Sequence, residues 1–495
     1  MQKRSMFNLD YSYLSLPNKF YQLVNPALFS KPQTVLLNEV LLKELTIPFT
    51  NKEDLISFLL KNKGDDRTSS FAQAYAGHQF GNFTTLGDGR AIVIGEYNTP
   101  NNKRFDIQLK GSGRTLYSRG GDGKATLKAM LREYLISEAM HHLNVTTSRS
   151  LLVAKTGELV QREKLHDGAV LARLMKSHIR IGTFEYARHM GTTEDLKALT
   201  EYTINRLYPE IKNEENPALS LLKKVRSVQI DLVVNWMRIG FIHGVMNTDN
   251  VSISGETFDY GPCAFMNVYN PTTVFSSIDT NGRYAFGNQP NSIKWNIARF
   301  ADALLPIIHP EPATALQLAQ ACIDEFEPIW YEKYYEMMLL KLGVQKKAPE
   351  LYSLVDELLT LMLNLKLDYT NTFLALTNNT GSEVEKMAEP EFKIWLEKWK
   401  NTIKNSGGIK QAKKCMQESN PAFIPRNHLV EEALDAATNG NFNRIEKLLV
   451  VLSNPYHYQE NLNHFTVPPP TVFENEYATY CGTKSTIGNI RLLHF

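Results

Sequence analysis

An α+β fold in two lobes, a small mixed β-sheet lobe with one main helix and a larger, mostly helical lobe, follows from three features of the 495-residue sequence. Residues 73–157 are dense in glycine and in short strand-like runs. Within them lies one stretch of helical periodicity, and after about Ala187 the chain reads as helices separated by Pro- and Asn-containing turns. A sheet-rich segment followed by a helix-rich one predicts two lobes.

Taken in order, 90–97 (RAIVIGEY) and 104–110 (RFDIQLK) favour β structure. In the second, Phe105, Ile107 and Leu109 alternate with Asp106, Gln108 and Lys110, so Lys110 points away from the apolar face. From 125 to 143, Leu127, Met130, Leu131, Leu135 and Met140 form a stripe at helical spacing with Glu133 off its main line, which predicts one amphipathic helix. Strands at 151–154, 159–162 and 169–174 complete a small sheet with that helix inserted. Helices are expected at 199–207, 221–240, 293–305, 313–342, 351–367 and 390–404, and VPPPTVF at 467–473 opens an irregular tail.

The 54 basic and 52 acidic residues leave a formal charge of +2, so no general polyanion-binding surface, and hence no nucleic-acid partner, is expected. No run approaches the roughly 20 apolar residues of a membrane span, and the first residues lack an apolar signal core. A cytoplasmic protein is expected. Cys263, Cys322, Cys415 and Cys481 are far apart, with no CxxC pair to suggest zinc or a disulfide-stapled fold.

Chemistry enters with Leu86-Gly87-Asp88-Gly89-Arg90, which runs into a strand; its glycines let backbone N–H groups approach phosphates that a Cβ would block. By itself the motif is more often a plain turn. About twenty residues on, Lys110 ends a strand, and Glu133 follows in the helix, the order of parts in the small lobe of a protein-kinase-like fold. There the lysine holds nucleotide phosphates as a point charge and the glutamate fixes the lysine. His243-Gly244-Val245-Met246-Asn247-Thr248-Asp249-Asn250, with Asp259-Tyr260-Gly261 nine residues later, matches the kinase pattern H-R-D-x-x-x-x-N and then D-F-G, except that Val245 stands where that pattern has its catalytic aspartate. Asn250 and Asp259 are hard oxygen ligands suited to Mg²⁺. Asp249, one residue from Asn250, is placed to accept a proton from a substrate hydroxyl. The chain then divides into residues 1–70, an N-terminal extension packing on the core; 71–180, the small lobe with glycine loop, lysine strand and glutamate helix; 181–410, the helical lobe with the catalytic and metal-binding loops; and 411–495, a C-terminal extension and irregular tail.

After Lys110 comes GSGRTLYSRGGDGKATLK, in which Arg114, Arg119 and Lys124 alternate with glycines and lead into a helix start, a combination that favours anions. Arg173 and Arg180 are candidates for forked contacts to the same anion. Two cationic elements around one lysine suggest a triphosphate bound the other way round, with its α-phosphorus exposed.

AYAGHQFGNFTTLGDGRAIVIGE, DIQLKGSGRTLYSRGGDGKATLKAMLREYLISEAM, SHIRIGTFEYA and GFIHGVMNTDNVSISGETFDYGP together resemble the selenoprotein O family of protein adenylyltransferases, strongly over 71–262 and more weakly outside it. The resemblance implies a kinase-like fold that binds ATP in a flipped orientation and, with Mg²⁺ or Mn²⁺, transfers AMP to Ser, Thr or Tyr hydroxyls of proteins, self-modification included. It implies nucleotide contacts at Gly87, Gly89, Arg90, Lys110, Asp122, Gly123, Arg173, Arg180 and Asp259. Glu133 becomes the orienter of Lys110, Asp249 the proton acceptor, and Asn250 with Asp259 the metal ligands. The family pairs a C-terminal cysteine or selenocysteine with a cysteine after the D-Y-G; here Cys481 is the candidate tail residue and Phe275 occupies the expected partner position, so that disulfide is not expected, with Cys263 the one candidate substitute. An ordinary phosphoryl-transferring kinase and a silent pseudokinase scaffold stand as alternatives, the first opposed by Val245 and the second by the intact Lys110, Glu133, Asn250 and Asp259.

Overall fold

Alternating apolar residues in the first third of the chain form a ten-stranded sheet whose two faces are both covered. The computed structural model describes residues 9–29, 31–48, 51–61, 69–79, 81–345, 348–378 and 383–479. In chain order the small lobe contains β1 (Leu9–Asp10), β2 (Tyr21–Leu23), β3 (Gln33–Leu37), α1 (Glu39–Glu44), α2 (Lys52–Lys61), β4 (Phe71–Gln79), β5 (Asn82–Gly87), β6 (Ala91–Asn98), β7 (Arg104–Lys110), β8 (Ala125–Thr126), α3 (Leu127–His142), β9 (Arg149–Gln161) and β10 (Leu165–Met175). Strand order is β2-β4-β6-β7-β10-β9-β3, with β1 on β6, β5 on β4 and β8 on β10.

Every ladder in this sheet is antiparallel, where a mixed sheet was expected. The cause is connectivity: β7 and β9 run the same way, but β10 returns between them. The two strands expected at 151–154 and 159–162 are one strand, β9. Helix α3 is also not the lobe's only helix, because Leu55, Phe58 and Leu59 of α2 and Leu41 and Leu42 of α1 bury the opposite sheet face against Ile107, Leu109, Leu152 and Val170. The stripe seen on α3 is incomplete as well. Arg132, Glu133 and Glu138 are buried along with Leu127, Met130 and Leu131, since the sheet covers one side of α3 and helices from the end of the chain cover the other.

The large lobe is built from α4 (Ile181–Met190), α5 (Thr193–Leu207), α6 (Pro217–Arg238), β11 (Phe241–Ile242), β12 (Ala264–Phe265), α7 (Gln289–Ile308), α8 (Pro312–Asp324), α9 (Phe326–Lys341), α10 (Tyr352–Asn364), α11 (Tyr369–Asn378), α12 (Pro390–Asn405), α13 (Gly408–Ser419), α14 (Asn427–Thr438), α15 (Asn443–Leu452) and α16 (Thr471–Glu476). The single helix expected over 313–342 is two, because Glu325 ends α8 and α9 starts at Phe326. Helix α13 runs through residue 410, so the boundary placed there meets no break in structure. Residues 467–473 open not on coil alone but on α16, after which Thr479 pairs with Ser276 in a parallel bridge. Among the described residues no helix is long and apolar enough to cross a membrane.

One buried carboxylate pins the linker between the lobes. Glu256 Oε2 accepts hydrogen bonds from Lys176 N at 3.0 Å and Ser254 Oγ at 2.6 Å, while Ile181 N and Ile253 N bond to Val251 O and Ile179 O. Burial raises the Glu256 carboxyl to about 7. An acid raised in the folded state binds a proton that the unfolded chain has released, so stability falls as pH rises from about 4.5 to about 7 and then levels off. Glu256→Gln removes this dependence. The variant's melting temperature relative to wild type is expected to climb across that window, by an amount equivalent to on the order of 3 kcal/mol at most; a difference that is flat with pH would overturn the assignment.

Candidate active site

Lys110, at the end of β7, has its ammonium 2.5 Å from Glu133 Oε1 on α3 and 2.5 Å from Asp259 Oδ1. The polar side of β7 is thus buried rather than solvated: Asp106, Gln108 and Lys110 are each under 7% exposed. Each has charged or polar partners. Asp106 Oδ2 accepts from His178 N at 2.8 Å, and Gln108 Oε1 accepts from Arg173 Nε and Nη2 at 2.9 and 2.6 Å.

Asp259 adopts a left-handed backbone, φ 65°, rare for a residue with a side chain. It is held there by the buried His243 ring, whose Nε2 lies 3.2 Å from Phe258 O, and His243 N in turn donates to Gln289 Oε1 at 3.0 Å. Burial would raise the Asp259 carboxyl, but Lys110, Arg90 and Arg173 override it and hold the group well below the usual carboxylate range. Asp259 is therefore an anion set in a ring of cations.

Two arginines flank Phe258. Arg173 lies 5.4 Å from the ring centroid and its Nη1 is 3.5 Å from Glu133 Oε2; Arg180 lies 5.1 Å from the same ring, 3.9 Å over Tyr75, and bonds Asp88 Oδ1 through Nη2 at 3.0 Å. Arg173 Nη1 and Arg180 Nε are buried without hydrogen-bond partners. Buried guanidinium donors left without a hydrogen bond carry an unmet demand for an acceptor.

The glycine motif is covered by the loop that follows Lys110. A Cβ at Gly87 would fall 2.2 Å from Tyr117 Cγ, and one at Gly89 2.7 Å from Tyr117 O. Thr115 Oγ1 donates to Asp88 O and Ser118 Oγ to Gly89 O. Gly123, φ 68°, closes the neck of the loop, where a Cβ would lie 2.1 Å from Gly113 O. Of the loop's basic residues expected to favour an anion, Arg114 bonds Gly120 O and Gly121 O, and Lys124 pairs with Glu158. Asp122 pairs with Arg162 and accepts from Lys124 N, so its contacts lie within the loop and β9–β10 rather than at Lys110.

The loop at 243–250 brings Asp249 and Asn250 to the same cleft. Val245 is buried, and its carbonyl accepts Asn250 Nδ2 at 3.2 Å, a bond that does not engage the Asn250 amide oxygen. Burial raises Asp249 to about 6 against the pull of Arg180. Its Oδ1 is buried without a partner, facing Gly77 of β4, where a Cβ would come within 2.5 Å of it. Beside it, Glu185 of α4 is raised to about 7 by burial and lies 3.3 Å from His78 Nε2.

Sequence reasoning passed over Asp88, Gln108, Tyr75, Tyr117 and Glu185. Asp88 and Gln108 had a readable signal, one sitting between the motif's two glycines and the other sharing Lys110's side of the strand two residues earlier. The others reach the site only through tertiary approach. Cys263 is buried, its thiol donates to Tyr260 O at 3.2 Å and burial pushes it up to about 12, whereas Cys481 lies outside the described residues. Phe275 O accepts from Thr479 N at 2.7 Å, so the tail passes beside that position.

Residues 5–453 match the family described as protein adenylyltransferase SelO. The chain belongs to this family. It is 50% identical over 480 residues to a protein nucleotidyltransferase YdiU of Clostridium botulinum, covering 96% of this chain and 98% of that one. A protein nucleotidyltransferase YdiU of Brevibacillus brevis is 49% identical over 485 residues, again at 96% and 98%. Among solved structures, a rhoptry antigen kinase domain of Toxoplasma gondii overlaps 59% of this chain and 88% of its own at 11% identity and TM-score 0.25, too loose an overlap to argue from. The kinase-like character of this SelO-family chain rests instead on its own lysine, glutamate and D-Y-G geometry.

Gly87→Ala is expected to lift Tyr117 off the glycine motif. Amide exchange across 111–124 should accelerate and ATP affinity should fall about tenfold; a loop that exchanges as slowly as in wild type would show that this packing does not hold the cover in place.

Proposed function

We propose that the protein transfers AMP from ATP to Ser, Thr or Tyr hydroxyls of proteins, itself included, with ATP bound in the flipped orientation. The observation that carries this reading is Asp249: a carboxylate with one buried, unpartnered oxygen in the cleft, while the kinase base position holds the buried apolar Val245. A carboxylate so placed accepts the proton of an incoming hydroxyl. The hydroxyl oxygen forms a bond to the α-phosphorus, the bond from that phosphorus to the pyrophosphate oxygen breaks, and pyrophosphate leaves.

Lys110, held by Glu133, and Arg90, Arg173 and Arg180 would neutralise the phosphates, with Gly87, Gly89, Asp122 and Gly123 shaping the loops that approach them. Asn250 and Asp259 fit Mg²⁺, or Mn²⁺, as an amide oxygen and a carboxylate already ionised by its surroundings. Among the described residues no group of three or more His, Cys, Asp or Glu could hold a metal ion, so two protein ligands would leave the remaining positions to phosphate oxygens and water. The ion would supply charge compensation on the phosphates.

Purified protein incubated with Mg²⁺ and ATP labelled on the α- or the γ-phosphate is expected to pass only α-label to protein, with a mass gain of one AMP. Asp259→Ala should reduce the rate at least about a hundredfold. Transfer of γ-label would establish a kinase, and undiminished turnover in the variant would sink the metal assignment.

Gly77→Ala tests Asp249 without touching it. The added methyl would meet the carboxylate at 2.5 Å and Leu86 Cδ1 at 2.9 Å. A displacement of that size in a proton acceptor is expected to lower kcat about a hundredfold, with ATP affinity within twofold of wild type. An unchanged kcat would mean that Asp249 does not act from this position.

A further inference from the structure

The β4–β5 hairpin reaches from the sheet onto α4 and the loop at 248–250, and it carries more than Gly77. The next residue, His78, packs edge-on against Trp295 of α7 with ring centroids 5.0 Å apart. Phe83 of β5, 40% exposed, stands 5.9 Å from His78 and 4.6 Å from His189 at the end of α4. Arg283 lays its guanidinium 4.5 Å over Trp295 and 5.7 Å from Tyr284, whose hydroxyl is 2.6 Å from Asn247 Oδ1. An aromatic ledge therefore runs from the surface at Phe83 to Arg283. It is joined to the Asp249 loop at two points, through Gly77 beside His78 and through Tyr284 on Asn247.

The charges on the ledge are sorted. Its inner side carries two carboxyl groups, those of Glu185 and Asp249. Its outer side is cationic: burial, then Arg299, Arg283 and His189, hold the His78 imidazole below its usual range. Arg299 pairs with Asp302 at 2.8 Å, whereas Arg283 has no carboxylate within ion-pair distance among the described residues. Arg283 shares a side-chain hydrogen bond with Tyr284, and a guanidinium stacked on indole has further N–H groups with which to meet a carboxylate.

We propose that this ledge docks the acceptor protein and selects segments in which Glu or Asp lies close in sequence to the modified hydroxyl, the carboxylate meeting Arg283 while the hydroxyl turns to Asp249. This rests on the AMP-transfer reading above. The exposed Phe83 ring offers apolar contact to a peptide, and Arg283, without a carboxylate partner among the described residues, supplies the discrimination.

The test uses the full chain, Mg²⁺ and α-labelled ATP with synthetic peptides that present a single Ser, Thr or Tyr between flanking glutamates or, otherwise identical, flanking lysines. Wild type is expected to use glutamate-flanked peptides with kcat/KM about tenfold or more above the lysine-flanked set. Arg283→Glu should reverse the order, Arg283→Gln abolish it, and Arg283→Lys retain it in part; melting temperature and ATP affinity report whether each variant is folded. Equal use of both sets by wild type, or a preference that survives Arg283→Gln, overturns the ledge. Label on the protein itself with neither peptide set used also overturns it while the transfer reading stands. Absence of α-label from every acceptor, the protein included, removes the transfer reading and the ledge with it.

Discussion

The ammonium of Lys110 between Glu133 and Asp259 is the contact on which the cleft depends. A lysine this buried loses its hydration and must recover it from fixed charge, and here two carboxylates from different parts of the chain share the task. Their sharing joins strand β7, helix α3 and the D-Y-G loop at one point. Breaking the pair from either side would leave an uncompensated charge in a low-dielectric site, a far larger loss than that of an exposed ion pair.

Helix α3 grips the D-Y-G loop twice, through adjacent residues. Glu133 reaches Asp259 by way of Lys110, while Arg132 donates to Gly261 O at 3.2 Å and to Cys263 O at 2.6 Å and pairs with Glu431 of α14. Consecutive helical residues lie about 100° apart around the axis, so the two contacts approach the loop from different directions. This explains how Asp259 can be kept at positive φ: its neighbours on both sides are tied down, by His243 at Phe258 O and by Arg132 at Gly261 O. It also explains why the last third of the chain covers α3. Glu431 neutralises the guanidinium that the grip requires, and Tyr477 Oη lies 3.2 Å from the same arginine.

What was legible in the sequence divides along the same line. Lys110, Glu133 and Asp259, which the fold brings into contact, were readable as a group because each lies at a fixed place in a local element, and spacing along the chain carries that information. The periodicity of α3 was readable on the sheet side only. Its other face is lined by Arg132 and Glu133, which look solvent-facing until α14 and the D-Y-G loop are brought against them. Asp88 was readable but overlooked between its glycines; Glu185, Tyr75 and the reach of the β4–β5 hairpin were not, because no local pattern says that β4 will land on the loop at 248–250. The cationic loop after Lys110 was over-read for the opposite reason. Composition counts every basic residue as available, whereas the fold consumes Arg114 on loop carbonyls and Lys124 on Glu158.

The place of the proposed acceptor carboxylate is best seen from Val245. With an apolar residue at the kinase base position, the side chain there turns into the core and its carbonyl is used to anchor Asn250, so that position cannot serve the cleft. Asp249 faces a different wall, the backbone of β4 at Gly77, and the absence of a Cβ at that residue is what makes room for its carboxylate. Under the proposed reading, a hydroxyl directed to Asp249 would then meet the hairpin wall at Gly77. The wall that carries Gly77 continues directly into His78 and, through it, to Trp295 and Arg283. The same backbone that makes room for the proposed proton acceptor thus begins the surface over which its substrate would arrive, so the choice of acceptor and the proton transfer would depend on one hairpin.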